Sequence, residues 1–568
     1  MLARVQSFLL QGIDALPCEV EVDVDHTIEN VGPTVVGLPD AAVKESVERV
    51  RSALTNSGHL WPRGRILVNL APADVRKEGP AYDLCVALGV LQCEGVIRPD
   101  RAAAQARAAA ARGSVVTLGK PLRAPAATAR SGVEALTDPD DPTADLDEAL
   151  AARDEPLAGS FEPLDPRRYL IAGELALDGR LRPIRGVIAM AALAKSLGLR
   201  GVIVPAENAR EAAVVPGIDA IAASTLAEVI GLLTGGLEPA PMAPVDVASL
   251  LSQATAEVDF ADVRGQEAVK RAIVIAAAGG HNLLMLGPAG TGKTMMAKAL
   301  PGVLPPLTPE EAIEVTRIYS AAGALPAGSG LVTLRPVRSP HHTASAPAII
   351  GGGGVPKPGE VSLAHRGVLF LDELPEFPRP VLETLRQPLE DHVVTIARSH
   401  SAVRFPASFM LVAAMNPTPK GDVARDAVGR AAQERYLSRI SGPLIDRIDI
   451  HVEAPAVPFK QLAAAPRGTS SAAMRERVLA ARARQIARQG PTTPNARLPG
   501  RRLDELAPLD EASRDLLGRA ITELGLSARA YDKLRRTART IADVEGHERI
   551  SLAHVSEAVQ YRLLDRKV

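Results

Sequence analysis

Aromatic side chains are scarce in this chain: 8 Phe, 6 Tyr and 1 Trp make up 3% of its 568 residues. Stacking of bases on aromatic platforms is therefore excluded as the main way of gripping nucleic acid. Cysteine is rarer still. Cys18, Cys85 and Cys93 are odd in number and lack C-x-x-C spacing, which excludes a disulfide framework and a thiolate zinc site; buried, inert thiols are expected. Neither sign of charge dominates, with 65 Lys and Arg against 66 Asp and Glu. No global attraction to a polyanion exists, so any contact with nucleic acid must be local. Long apolar runs are missing too: "MLARVQSFLLQGIDALPCEVEVDVD" has one short run, no small-residue cleavage site, and passes straight into an alternating strand pattern. A cytoplasmic protein without a membrane span is expected.

What is present calls for several cores, three or four at about 100–200 residues each. Residues 1–235 carry the alternating "EVEVDVD", the helical "AAVKESVERVRSALTNSG" and the strands "RILVNLAP" and "GVIVP", and read as α+β. Within this block the composition shifts at about 99–166 to Ala, Arg and Asp, including "DPDDPTADLDEALAARDEP", which cannot bury enough apolar surface to order itself strongly. A largely disordered insert is expected there. Residues 236–258 read as a linker, on the run "GGLEPAPMAP" that begins at Gly235. Strands alternate with helices over 259–455, which implies a parallel sheet with ligands at its carboxyl edge. A poorly ordered connection is expected over 456–502, followed by a helical block over 503–568.

The stretch "GPAGTGKT" fits G-x-x-x-x-G-K-[ST] and lies between the strand "NLLML" and the helix "MMAKAL", as a phosphate loop should. It comprises Gly287, Pro288, Ala289, Gly290, Thr291, Gly292, Lys293 and Thr294. Amides from Gly290 to Thr294 can converge on phosphates because glycine permits close approach, Lys293 supplies a point charge, and Thr294 a magnesium ligand. "GVLFLDE" ends a buried strand in two carboxylates, Asp372 to hold hydrated magnesium and Glu373 to orient and polarise the attacking water. Asn416 of "AAMNP" comes to the same edge, where an amide can position that water. A rigid cation is also needed for charge developing on the γ phosphate. Arg439, Arg447, Arg529, Lys533, Arg535, Arg536 and Arg539 are available. His341, His342 and His365 lie near the Asp372 strand in sequence, but no metal-ligand spacing joins them, and loop hydrogen bonding is expected instead. The glycines 351–354 suit a loop or hairpin tip, with Lys357 the nearest charge.

Five long runs now carry a resemblance: "VVGLPDAAVKES", "VNLAPADVRKEG", "RSPHHTASAPAIIGGGGVPKPGEVSLAHRGVLFLDELPEF", "LETLRQPLEDHVVTIAR" and "ISGPLIDRIDIHVE". Over nearly its whole length the chain resembles the magnesium-chelatase-like AAA+ ATPases of the YifB/ComM family. The resemblance implies an α/β AAA+ P-loop core with a parallel sheet and a helical lid, preceded by an α+β Lon-protease-like (ribosomal-protein-S5-like) domain. It implies ATP and Mg2+ as cofactors, with Lys293 and Thr294 in Walker A, Asp372 and Glu373 in Walker B, and Asn416 as sensor 1. By the same analogy Arg447 is the arginine finger, Arg439 the runner-up, and Arg529 sensor 2 on the lid. A homohexameric ring follows, each site completed by its neighbour.

Three departures from the family pattern matter. Where relatives carry a cysteine cluster after sensor 1, this chain reads "NPTPKGDVARDAVGRAAQERY", so no zinc site is expected there. In the Lon-like domain, "RKEGPAYDL" puts Ala81 at the nucleophile position and "RPIRGVIAM" puts Ile188 at the base, and neither can do peptidase chemistry. The insert at about 99–166 is longer than the family leads one to expect. The leading functional expectation is an ATP-driven motor acting on single-stranded or branched DNA, with branch migration in recombination or natural transformation implied by the resemblance. Lys357 and the Lys420 region are the candidate grips. A chaperone-like remodeller related to the chelatase motor subunit is the alternative. A module that binds nucleotide without hydrolysing it is disfavoured by Asp372 and Glu373.

Overall fold

Val20, Val22 and Val24 are buried while the residues between them are not, so the strand Asp14–Asp25 shows one face to a core. In the computed structural model, which describes residues 1–28, 31–98, 161–326, 328–353, 356–397, 402–418, 435–457 and 468–562, that strand pairs antiparallel with Arg65–Ala71. Leu2–Gln11 and Thr34–Val36 complete a four-stranded sheet. The helix Ala41–Asn56 starts at Asp40, whose carboxylate accepts the Val43 amide at 2.8 Å. The helix Asp83–Cys93 is buried along its whole length. Its first residue, a carboxylate, must therefore be paired: Arg49 Nε and Nη2 donate to Asp83 at 2.8 and 3.1 Å. A three-stranded parallel sheet, Tyr169–Ile171, Gly201–Pro205 and Asp219–Ala223, contributes to the same core.

These elements form one unit, Met1–Leu9 with Ala15–Pro244, and Leu10–Asp14 with Val245–Val568 form a second. The second unit is built on a five-stranded parallel sheet in the order Val337–Arg338, Val368–Leu371, Met410–Met415, Leu283–Leu286, Ile450–Glu453. Its inner strands are apolar throughout because both faces are covered. Leu283, Met285, Phe370, Val412 and Ala414 enter a core shared with the helices Glu267–Gly279, Ser471–Gln489, Ala528–Glu545 and Leu552–Gln560. Leu284, Leu369, Leu371, Leu411, Ala413 and Met415 enter the core on the other face. Register sets what emerges at the carboxyl edge: Leu286 lies opposite Met415, and Leu371 opposite Ala413, so Gly287, Asn416 and Asp372 all follow strand ends there.

Two stretches differ from the sequence reading. The boundary between units falls at Pro244, and the expected linker already holds the helix Val247–Gln253, N-capped by Asp246. The expected connection contains the 19-residue helix Ser471–Gln489. Its buried residues Met474, Val478 and Ala481 fall at helical spacing, a stripe hidden by the arginines between them and by the Pro and Thr residues on either side. The expected insert lies outside the described residues as far as residue 160. Among the described residues, no helix is long and apolar enough to cross a membrane.

Candidate functional site

The phosphate loop leaves the strand Leu283–Leu286 at Gly287, whose amide donates to the Met415 carbonyl at 3.1 Å. Gly290 and Gly292 have φ of 80° and 85°, a left-handed backbone in which a side chain would be strained. Among the described residues, nothing lies within 4 Å of where their β-carbons would project. No side chain among the described residues caps the start of the helix Lys293–Ala299. Lys293 is buried, and its Nζ donates to the carbonyls of Gly287 and Pro288 at 2.7 and 2.8 Å and to Asn416 Oδ1 at 3.3 Å. Burial lowers its pKa, while Asp372 and Glu373 pull the other way.

Thr294 Oγ1 donates to Asp372 Oδ2 at 2.7 Å, across the intervening Asn416 strand. Asp372 Oδ1 accepts the Glu373 amide at 3.0 Å. Glu373 has φ of 52°, the left-handed region that a non-glycine residue adopts at a cost. Its carboxylate is 50% exposed and lies 3.5 Å from His342 Nδ1. A hydroxyl and a carboxylate oxygen side by side are hard ligands that fit a magnesium ion. A buried lysine beside an open glycine turn fits phosphate. The sheet thus brings Lys293, Thr294, Asp372, Glu373 and Asn416 together at one edge.

Arg447 and Arg529 are at the other edge. The Arg447 carbonyl accepts from Asn282 Nδ2 at 2.9 Å, and Asn282 immediately precedes the strand whose far end opens into the phosphate loop. Four residues of strand separate the two edges, about 13 Å at ~3.3 Å per residue. Arg447 and Arg529 line one cavity of about 410 Å³ there, with Arg497, Lys533 and Arg536 as further cations. Asp449 anchors its floor: its carboxylate is 3.0 Å from Lys533 and accepts the Asn282 amide at 3.0 Å. Burial would push that carboxyl up, but Lys533 and His281 outweigh it and hold it well below the usual carboxylate range. Burial, with Arg497 and Arg366, pushes His392 on the cavity wall down to about 4, so it is neutral at pH 7. Arg439 is placed elsewhere, 2.9 Å from Glu376 and above the Tyr436 ring.

The histidines are engaged in their loops. His341 Nδ1 is 2.8 Å from Thr343 Oγ1, while His365 Nδ1 accepts the Ser408 amide at 2.9 Å and its Nε2 is 3.2 Å from Glu314. Sequence reasoning missed a group of Glu545, His547 and His554 with ligand atoms close together. His554 Nδ1 accepts the Ser551 amide at 2.9 Å, which puts the ring proton on Nε2, 3.0 Å from Glu545. With one ring proton the imidazole is neutral, and its contact with Glu545 is a hydrogen bond to a carboxylate at the junction of two helices. The reading also missed a hairpin, Val393–Ala397 with Ala402–Pro406, although both strands alternate. It packs on the glycine-rich hairpin: a β-carbon at Gly351 would collide with the Lys357 carbonyl and crowd the Ile396 side chain. Lys357 is exposed on that hairpin, while Lys420 lies outside the described residues.

A parallel sheet with this strand order, a phosphate loop on one central strand and an Asp-Glu pair one strand removed define an AAA+ P-loop core. Comparison with known proteins narrows the class. The family described as "Magnesium chelatase, subunit ChlI" matches residues 259–462, its C-terminal counterpart matches 468–562, and "Subunit ChlI of Mg-chelatase" matches 20–114 and 149–208. The chain is 40% identical to the protein YifB of Salmonella typhimurium and 39% identical to the competence protein ComM of Haemophilus influenzae, in each case over 100% of this chain and 98% of the relative. The magnesium-chelatase 38 kDa subunit of Rhodobacter capsulatus is 26% identical over 30% of this chain and 53% of its own. The chain belongs to the magnesium-chelatase-like AAA+ ATPases of the YifB/ComM family.

Proposed function

We propose that this protein is an ATP-hydrolysing ring motor, a homohexamer, that acts on single-stranded or branched DNA and drives branch migration in recombination or natural transformation. The observation that carries the proposal is the division of its functional residues between two edges of one sheet. Lys293, Thr294, Asp372, Glu373 and Asn416 supply phosphate-holding, magnesium-holding and water-orienting groups. The cationic groups Arg447 and Arg529 face away from them. A site assembled from two copies uses both sets, and repetition of that contact closes a ring.

Bound ATP with Mg2+ supplies the phosphoanhydride bond and the cation that screens its charge. Lys293 and the loop amides hold the phosphates, and Thr294 and Asp372 hold the metal. Glu373 orients the attacking water and accepts its proton, with Asn416 fixing the water's position. Arg447 and Arg529 bring fixed positive charge to the neighbour's phosphates. In the first unit, a Lon-protease-like domain, Ala81 and Ile188 leave no peptidase dyad.

DNA is favoured as substrate by the full-length likeness to a competence protein. ATPase rates with single-stranded, duplex and four-way-junction DNA, together with a strand-exchange assay at two salt concentrations, test this. Stimulation by branched or single-stranded DNA, weakening with salt, is expected because a grip on phosphates through local cations releases counterions. If no form of DNA changes hydrolysis and no junction moves at low salt, the DNA reading fails and remodelling of a protein partner takes its place.

A further inference from the structure

Arg447 is held by its own chain. Its Nη2 donates to Glu390 Oε1 at 2.5 Å, its Nη1 donates to the Pro443 carbonyl at 2.6 Å, and its buried Nε has no hydrogen-bond partner among the described residues. The arginine side chain is only 10% exposed, whereas that of Glu390 is 53% exposed. Glu390 stands on the short helix Arg386–Asp391. The chain turns out of that helix at His392, with φ of 56°, and enters the hairpin strand Val393–Ala397 without a spacer.

We propose that Glu390 is a positioning residue that latches Arg447, so that a neighbour's phosphate engages the arginine by displacing this carboxylate. The inference rests on Arg447 acting on the neighbouring copy's nucleotide. A guanidinium fork matches carboxylate and phosphate alike, so the two anions compete for the same donors. Three carboxylates line the cavity, Glu390, Asp446 and Asp449, and Asp449 is committed to Lys533 and to the Asn282 amide. Among the described residues, Glu390 is the carboxylate bonded to the Arg447 guanidinium, and its exposure lets it rehydrate when it lets go. Because Glu390 sits at the root of the hairpin, its release acts on the strand that packs at Gly351. The latch therefore ties nucleotide in one copy to the hairpins of the next.

The test is steady-state ATPase of the full-length protein as wild type, Glu390→Gln, Glu390→Asp, Arg447→Ala and the double variant Arg447→Ala/Glu390→Gln. Residual rates are read by release of radiolabelled phosphate. The neutral amide should loosen the latch and raise DNA-free turnover about two- to fivefold, the range expected for a partly exposed ion pair. Glu390→Asp should restore much of the restraint, and Glu390→Gln should change nothing in the Arg447→Ala background. An unchanged or lowered rate in Glu390→Gln, or an equal rise without Arg447, overturns the latch. Wild-type turnover by Arg447→Ala alone would instead remove the role of Arg447 on which the latch rests.

Discussion

Asn282 holds Arg447: its Nδ2 donates to the arginine's carbonyl at 2.9 Å, while its Oδ1 accepts the Leu411 amide at 2.9 Å. One side chain thus fixes the arginine segment to the foot of two parallel strands whose far ends deliver the phosphate loop and Asn416. The separation is built into the sheet. Reaching the loop of the same chain would require unpacking the segment that leads into Ile450–Glu453, where Ile448 and Ile450 are fully buried.

Lys293 and Glu373 should fail in different ways. Lys293→Ala removes the buried cation, so both nucleotide affinity and turnover should fall. Glu373→Gln keeps the size of the side chain and loses the carboxylate, so ATP should bind and persist while turnover falls by about 10²–10⁴. Titration with a fluorescent nucleotide and a phosphate-release assay separate the two. A normal rate in Glu373→Gln would contradict the role given to Glu373.

The first unit should depend on Arg49. Asp83 is fully buried, and removing its partner in Arg49→Ala leaves an uncompensated carboxylate, a loss of about 3 kcal/mol, at the low end for buried pairs because Arg49 is 23% exposed. Trp61, the only tryptophan, packs partly buried against this core, so its fluorescence in urea reports the unit's unfolding. Burial pushes Asp83 up to about 6 despite Arg49. The folded state then binds a proton that the unfolded chain, with an ordinary carboxyl near 4, has lost. This contribution is complete below about pH 4 and disappears as pH rises through about 6. Without Arg49 the folded-state value moves higher, so the variant should lie closer to wild type at pH 5 than at pH 8. An equal deficit at both pH values would contradict this account of the pair.

Peptidase activity should be missing. Ala81 has no nucleophile and Ile188 no base, and both lie in regular structure, in the turn Pro80–Tyr82 and the helix Val187–Ser196. Unfolded casein incubated with protein and ATP, then examined by mass spectrometry, should remain whole. ATP-dependent cleavage that survives substitutions around residue 81 would mean the active site lies elsewhere.

How much of this was legible in the sequence depended on how local each signal is. The phosphate loop, the Asp-Glu pair and Asn416 each follow an apolar strand directly, so pattern alone placed them at one edge. The edge that receives Arg447 is set by strand pairing between residues more than 150 apart, such as Leu283 with Ile450, and no local pattern encodes that. The helix Ser471–Gln489 was hidden because arginines occupy its outward positions and dilute a stripe that buries only Ser471, Met474, Val478, Ala481 and Gln485. The pairing of Glu390, in one short helix, with Arg447, just past the end of another, joins residues 57 apart, which spacing cannot reveal.

The claim that one copy completes the site of another is tested most directly by mixing two inactive proteins. Arg447→Ala and Lys293→Ala should each hydrolyse ATP slowly, the former down by about a thousandfold. In mixed rings, about a quarter of interfaces would pair an intact loop with an intact arginine. Hydrolysis in the mixture should rise well above the sum of the separate proteins, in proportion to such interfaces as the ratio is varied. A mixture that forms mixed rings, shown by native mass spectrometry, yet hydrolyses no faster than its components would contradict the account.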